Sequence, residues 1–133
     1  AHIAGDVELA KTKYAECLRL EPANKLCLYN DGLIDQTEGR AAEAENNYRL
    51  ALVQDPTYGP ALYNLALLIS PTLPDEAIAI FRRYLEVNPT DAAGHLNLGR
   101  ALRTQGDTAG ADEQFARVRE LDPTMVIPEP SAS

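Results

Sequence analysis

The sequence predicts an all-α protein built by repetition: three two-helix units preceded by the second helix of another, about seven helices in all. Three observations carry this. Pro22, Pro56, Pro89 and Pro123 stand 34, 33 and 34 residues apart, each directly behind an acidic or amide residue: Glu21, Asp55, Asn88 and Asp122. Ahead of each lies an Ala-x-x-x-aromatic pair in the same cadence: Ala10 with Tyr14, Ala44 with Tyr48, Ala77 with Phe81, Ala111 with Phe115. Within the units apolar residues recur at the spacing of one helical face, as Ala44, Tyr48 and Ala51 do.

The second helices of the units are predicted over 8–20, 41–54, 75–87 and 108–121. Each closes before its proline, because the residue ahead of proline is pushed out of the α region. The first helices are predicted over 24–37, 58–70 and 92–104. Gly39 and Gly106 fall between paired helices, where a tight turn takes positive φ, and Gly5 is assigned the same slot in the opening half-unit. The segment Ser70-Pro71-Thr72-Leu73-Pro74 replaces the glycine turn and is one residue shorter, which accounts for the 33. Gly32, Ala66 and Gly99 leave room near the middle of the first helices, and Ala44, Ala77 and Ala111 offer matching small surfaces. The aromatics four residues beyond those alanines are expected to fill the space between neighbouring pairs.

Composition narrows the function. Twelve Lys and Arg against 20 Asp and Glu give a net charge of −8, so nucleic acid is not an expected partner. With 45% hydrophobic and 24% charged residues, wholesale disorder is excluded. No apolar run approaches the roughly 18–20 residues that cross a bilayer, so membrane insertion is not expected. Two Cys exclude a disulfide scaffold and a multi-Cys zinc site. The opening Ala1-His2-Ile3-Ala4-Gly5 lacks a starting Met and the features of a signal peptide, which reads as a processed or excised chain whose compartment stays open.

Catalytic constellations are not found, and neither a cofactor nor a metal is expected. His2 and His95 have no ligand or triad partner at a useful spacing, and His95 reads as a half-buried packing residue. Cys17 occupies a small-residue slot and reads as an inert buried thiol; Cys27 could face it across the hairpin, a disulfide that only the Cα separation can decide. Asp31 and Asp35 lie four apart on one helical face. They form either a metal- or partner-binding acidic pair, or carboxylates that are solvated or paired with Lys11, Lys13 or Arg19.

With these residues in register the chain resembles the tetratricopeptide repeat (TPR) family. The last unit carries Leu98-Gly99, Leu102, Gly106-Asp107, Ala111, Phe115 and Asp122-Pro123; the one before carries Leu62, Leu65-Ala66, Ile69, Ala77, Phe81 and Pro89. Leu28, Gly32, Gly39, Ala44, Tyr48, Ala51 and Asp55-Pro56 mark the first complete unit, and Asp31 and Asp35 stand where the family places large apolar residues. The resemblance implies a right-handed helical repeat solenoid: a partial repeat over 1–23, repeats over 24–57, 58–90 and 91–124, and an extended tail over 125–133, with Met125 to Ile127 laid over the last helix.

The resemblance further implies that the first helices line a concave groove holding a protein or peptide ligand, without catalysis. Asn30, Asn64 and Asn97 fall in equivalent places on that lining, where an amide can pair with a peptide backbone. Leu26, Tyr29, Leu33, Tyr63 and Leu67 would be apolar anchors, and Arg100 and Arg103 would favour an acidic group. Members that clamp chaperone tails use Lys, Asn and Arg at positions filled here by Tyr29, Leu33, Ala93 and Asn97; only Asn64 matches, so such tails are not expected to bind. The raw repeat ends leave a second possibility, a scaffold that self-associates end to end.

Overall fold

The computed structural model describes residues 3–21 and 24–127, with side chains from Glu8 onward; His2, Pro22 and residues 128–133 lie outside the described residues. Among those described there are seven helices and no strand: α1 (Ile3–Leu20), α2 (Lys25–Thr37), α3 (Ala41–Gln54), α4 (Gly59–Ile69), α5 (Pro74–Val87), α6 (Ala92–Thr104) and α7 (Thr108–Leu121). Six agree with the predicted ranges to within a residue at either end. The exception is α1, which begins at Ile3 and runs through Gly5. No turn forms there, because an isolated glycine weakens a helix by only about 1 kcal/mol and does not end it.

The helix starts are chemically marked. Asn24 caps α2, its side chain accepting from the Leu26 and Cys27 amides at 2.9 and 3.1 Å. Asp91 caps α6 through the Ala93 amide at 3.1 Å and accepts from the Tyr84 hydroxyl; Asp107 caps α7 through the Gly110 amide at 2.9 Å. Behind α3 and α7 the Asp-Pro-Thr sequence makes the same turn twice. Asp55 Oδ1 accepts from the amide and hydroxyl of Thr57, and Asp122 Oδ1 from those of Thr124. These bonds hold both carboxyls below the usual Asp range, with Lys25 the largest influence on Asp55 and the Thr124 hydroxyl on Asp122. Gly39 and Gly106 take the turns between paired helices at φ of +79° and +89°, as the sequence requires.

The chain divides into two compact units, Ala1–Leu68 and Ile69–Ser133. In the first, α2 packs along α3, and the core gathers Leu28, Ala44, Tyr48, Ala51, Leu52, Ala61, Leu62, Leu65 and Ala66. The Tyr48 ring lies over Gly32, where an added Cβ would come within 2.7 Å of Cε1. In the second unit α6 packs along α7 with the same device: Phe115 covers Gly99, whose Cβ would meet Cε1 at 2.5 Å. Both aromatics therefore fill the gap inside their own hairpin, not the space between neighbouring pairs that the sequence suggested. The glycine is what admits the ring. At the end of the described chain Val126 is 85% exposed, with Met125 and Ile127 half-buried.

Candidate functional site

In the first unit the residues expected to bind a ligand come from two helices. Tyr29, Asn30 and Leu33 share one face of α2, with Leu26 exposed a turn earlier; Tyr63, Asn64 and Leu67 share a face of α4. Asn64 joins the two faces by donating to the Tyr29 hydroxyl at 2.9 Å. The Tyr29 ring packs edge-on against Tyr58, 5.6 Å between centroids, and tilted against Tyr48 at 5.8 Å. Burial, then the neighbouring Tyr58, push the Tyr29 phenol above its ordinary value, against the lowering effect of Asn64. Lys25 stands 5.0 Å from the Tyr58 ring centre and 2.6 Å from Asp55, bracing this aromatic cluster from outside.

The three asparagines share a role the sequence did not reveal. Each donates its side-chain amide to the carbonyl four residues back in its own helix: Asn30 to Leu26 at 2.8 Å, Asn64 to Pro60 at 3.0 Å, Asn97 to Ala93 at 3.0 Å. This back-bond explains how a middling helix former is tolerated mid-helix, and it turns one N–H of each amide inward. In the second unit Arg100 and Arg103 are exposed on α6, three residues apart, on the helix that carries Asn97.

Asp35 is withdrawn from solvent while Asp31 is half-buried, and of the three cations the sequence offered only Lys11 acts, through its charge on Asp31. Asp35 is buried at 6% exposure. One of its oxygens takes both Nε and Nη2 of Arg40 at 3.1 and 2.8 Å, and the other accepts from Asn47 at 2.8 Å. Asn47 also reaches Asp31 at 3.2 Å, while Arg40 and Lys11 both hold Glu38, at 2.9 and 3.3 Å. Arg40 follows Asp35 by five residues, through the glycine turn, a spacing no single-helix pattern searches. Burial and the charge of Asp35 raise the Asp31 carboxyl above the ordinary Asp value, and the Arg40 and Lys11 contacts lower that of Glu38. The two aspartates line a shallow open hollow with Ala42, Glu43, Asn46 and Asn47. Among the described residues no group of three His, Cys, Asp or Glu is placed to hold a metal ion.

Cys17 is not a free thiol: it is joined to Cys27 in a disulfide, with Cα atoms 6.2 Å apart. His95 is half-buried, its Nδ1 2.7 Å from Gln114 Oε1 and its Nε2 2.9 Å from the Pro89 carbonyl oxygen. No described helix is long and apolar enough to cross a membrane.

Helical hairpins with glycine turns and ring-over-glycine packing define a helical-repeat chain, and comparison with known proteins gives its type. A tetratricopeptide repeat model matches residues 73–126, and the all-helical fold is of the tetratricopeptide repeat type. Among solved structures, YrrB, described as "a TPR protein with an unusual peptide-binding site", is 26% identical, with a TM-score of 0.81 over 90% of this chain and 62% of that one. Protein O-mannosyl-transferase TMTC3 of Homo sapiens is 30% identical over 128 residues, 92% of this chain and 14% of its own length. A probable UDP-N-acetylglucosamine–peptide N-acetylglucosaminyltransferase SPINDLY of Petunia hybrida is 39% identical over 62 residues, 47% of this chain and 7% of that protein. Photosystem I assembly protein Ycf3 of Synechococcus sp. (strain WH7803) is 35% identical over 85 residues, 61% of this chain and 49% of that protein. The chain thus spans less than half the length of these three relatives.

Proposed function

We propose that this chain is a non-catalytic interaction module that receives an extended protein segment along its first helices. Repeat boundaries at 24, 58, 91 and 125 go with that reading. The observation that carries it is the bond from Asn64 to Tyr29, which ties together the two helices bearing these half-buried and exposed apolar and amide groups. On the first unit, Tyr29, Leu33, Tyr63 and Leu67 supply apolar contact, with Leu26 at the edge. Asn30 supplies an amide oxygen and a remaining N–H to a peptide backbone, and Asn64, whose two N–H groups go to Tyr29 and Pro60, supplies its amide oxygen, since the back-bonds already fix their rotamers. On the second unit, Asn97, Arg100 and Arg103 supply the equivalent amide and two cations for an acidic group. YrrB, which shares the fold, is described as having a peptide-binding site, and that favours the same use here.

The test is a peptide-library screen followed by titration of the best peptide against Asn64→Ala and Arg100→Ala. Removing Asn64 frees Tyr29 as well, so a loss of about tenfold or more is expected; Arg100→Ala should weaken acidic peptides alone. Unchanged affinity in both variants rejects the reading. A second reading, an assembly scaffold that self-associates through its repeat ends, is favoured by the likeness to a protein named for assembly. Light scattering decides it: a polymer that grows with concentration and dissociates on deleting 125–133 supports assembly, and a monomer at all concentrations removes it.

A further inference from the structure

We propose that the Cys17–Cys27 disulfide is a redox latch that holds α1 on the rest of the first unit, and that a dithiol reductant releases the helix. Two observations point to it besides the bond itself. First, α1 is thinly packed. From Glu8 to Leu20 none of its side chains is fully buried, and Leu9 and Leu20 are 56% and 65% exposed, whereas α2 and α3 each set several residues into the core. The ion pair of Lys11 with Glu38 also ties α1 to the turn after α2, but both side chains are about a third exposed, and surface pairs of this kind contribute little. The covalent link is therefore the main tie.

Second, the two sulfurs differ. Cys27 is 7% exposed and sits in the first turn of α2, its amide bonded to the Asn24 cap; Cys17 is half-buried, the more exposed of the two. An incoming thiolate reaches Cys17 Sγ, forms a mixed disulfide there and expels Cys27 as a thiolate, which the positive end of α2 favours. The reductant's second thiol then attacks its own sulfur in the mixed disulfide. It leaves as a cyclic disulfide and frees Cys17. Two electrons pass from the dithiol to the cystine, and two protons end on Cys17 and Cys27. α1 then keeps only its shallow contact with α2.

The test uses the full chain in air-oxidised form, in dithiothreitol, and as the Cys17→Ser/Cys27→Ser variant, with amide hydrogen exchange read helix by helix. Exchange across residues 8–20 is expected to quicken by about tenfold or more on reduction, while α3, α6 and α7 keep their rates. The serine variant should match the reduced chain whether or not reductant is present. Equal protection of α1 in both redox states overturns the latch. So does acceleration that spreads equally to α3, which marks a staple for the whole unit, and so do two titratable thiols in the air-oxidised chain. Because α2 carries Tyr29 and Asn30, the proposed function adds that peptide affinity falls on reduction. Absence of peptide binding in both states counts against that function, and the exchange pattern alone judges the latch.

Discussion

Gly99→Ala isolates the contact that sets how close two paired helices come. The added methyl would lie 2.5, 2.9 and 3.1 Å from Cε1, Cδ1 and Cζ of Phe115. Ordinary carbon contacts sit at about 3.5–4.0 Å, so the ring or the helix must move by roughly 1 Å. The ring has nowhere to go, being 3% exposed among Leu98, Leu102, Ala111 and Val118 of the same hairpin, all of them buried. Overpacking of this kind costs about 1–3 kcal/mol. Against it stands the better helix propensity of Ala, about 1 kcal/mol. Because the overlap is severe, the cost wins, and a net loss of about 1–2 kcal/mol is expected. Urea unfolding followed by circular dichroism at 222 nm should show the midpoint falling by about 0.5–1 M, given a slope of about 2 kcal/mol/M. Adding Phe115→Leu should recover part of the loss, giving a coupling of about 1 kcal/mol. A midpoint equal to or above that of the parent chain refutes the ring-over-glycine account, and so does strict additivity in the double variant.

Other perturbations separate packing from charge. Arg40→Ala leaves Asp35 buried with only Asn47 as donor and should destabilise the chain by about 2–3 kcal/mol in the same assay, since a buried carboxylate without its cation is poorly tolerated. Asp31→Asn should stabilise at neutral pH. The folded carboxyl titrates above its ordinary value, so its protonated form is the favoured one: that stability is present below the unfolded pKa and lost as pH rises through the raised folded pKa. The gain from Asn should therefore shrink toward zero below about pH 4, as stability curves of the two chains will show. Burial, with Tyr29 and Asp35 adding to it, pushes the Tyr48 phenol up to about 12. Absorbance titration at 295 nm should leave part of the tyrosine signal un-ionised until the pH nears 12, with stability kept below pH 10 and lost as pH rises through 12. A titration in which every tyrosine ionises together near pH 10 contradicts the placement of Tyr48.

The period was legible because it is written in residues whose effects are local: prolines that end helices, glycines that take positive φ, and aromatics paired with alanines. Those rules place six helices to within a residue. They fail at Gly5, since a slot in a repeat does not force a turn unless the chain needs one there. The polar half of the first unit was harder to read. Asp35 stands where the family places an apolar residue, and its charge is met by Arg40 from across the turn, a contact set by the turn's three-dimensional path and not by helical spacing. The asparagines were legible as a register, yet their hydrogen bonds to the residue four back belong to side-chain rotamers that spacing alone leaves undecided. The disulfide needed a Cα separation, which sequence distance does not supply.

The buried carboxylate of α2 also bears on how a chain of look-alike modules avoids counterfeit marriages while it folds. Sixty-seven residues beyond Gly32, Arg40, Asn47 and Tyr48 stand Gly99, Asp107, Gln114 and Phe115, so α7 offers α2 nearly the same shape as its rightful mate. What differs is the sign of one group. A swapped hairpin would set Asp35 beside an aspartate where a guanidinium belongs, stranding two like charges out of water. One misfit in the apolar pattern thus serves as a password: shape admits either suitor, and electrostatics turns the wrong one away.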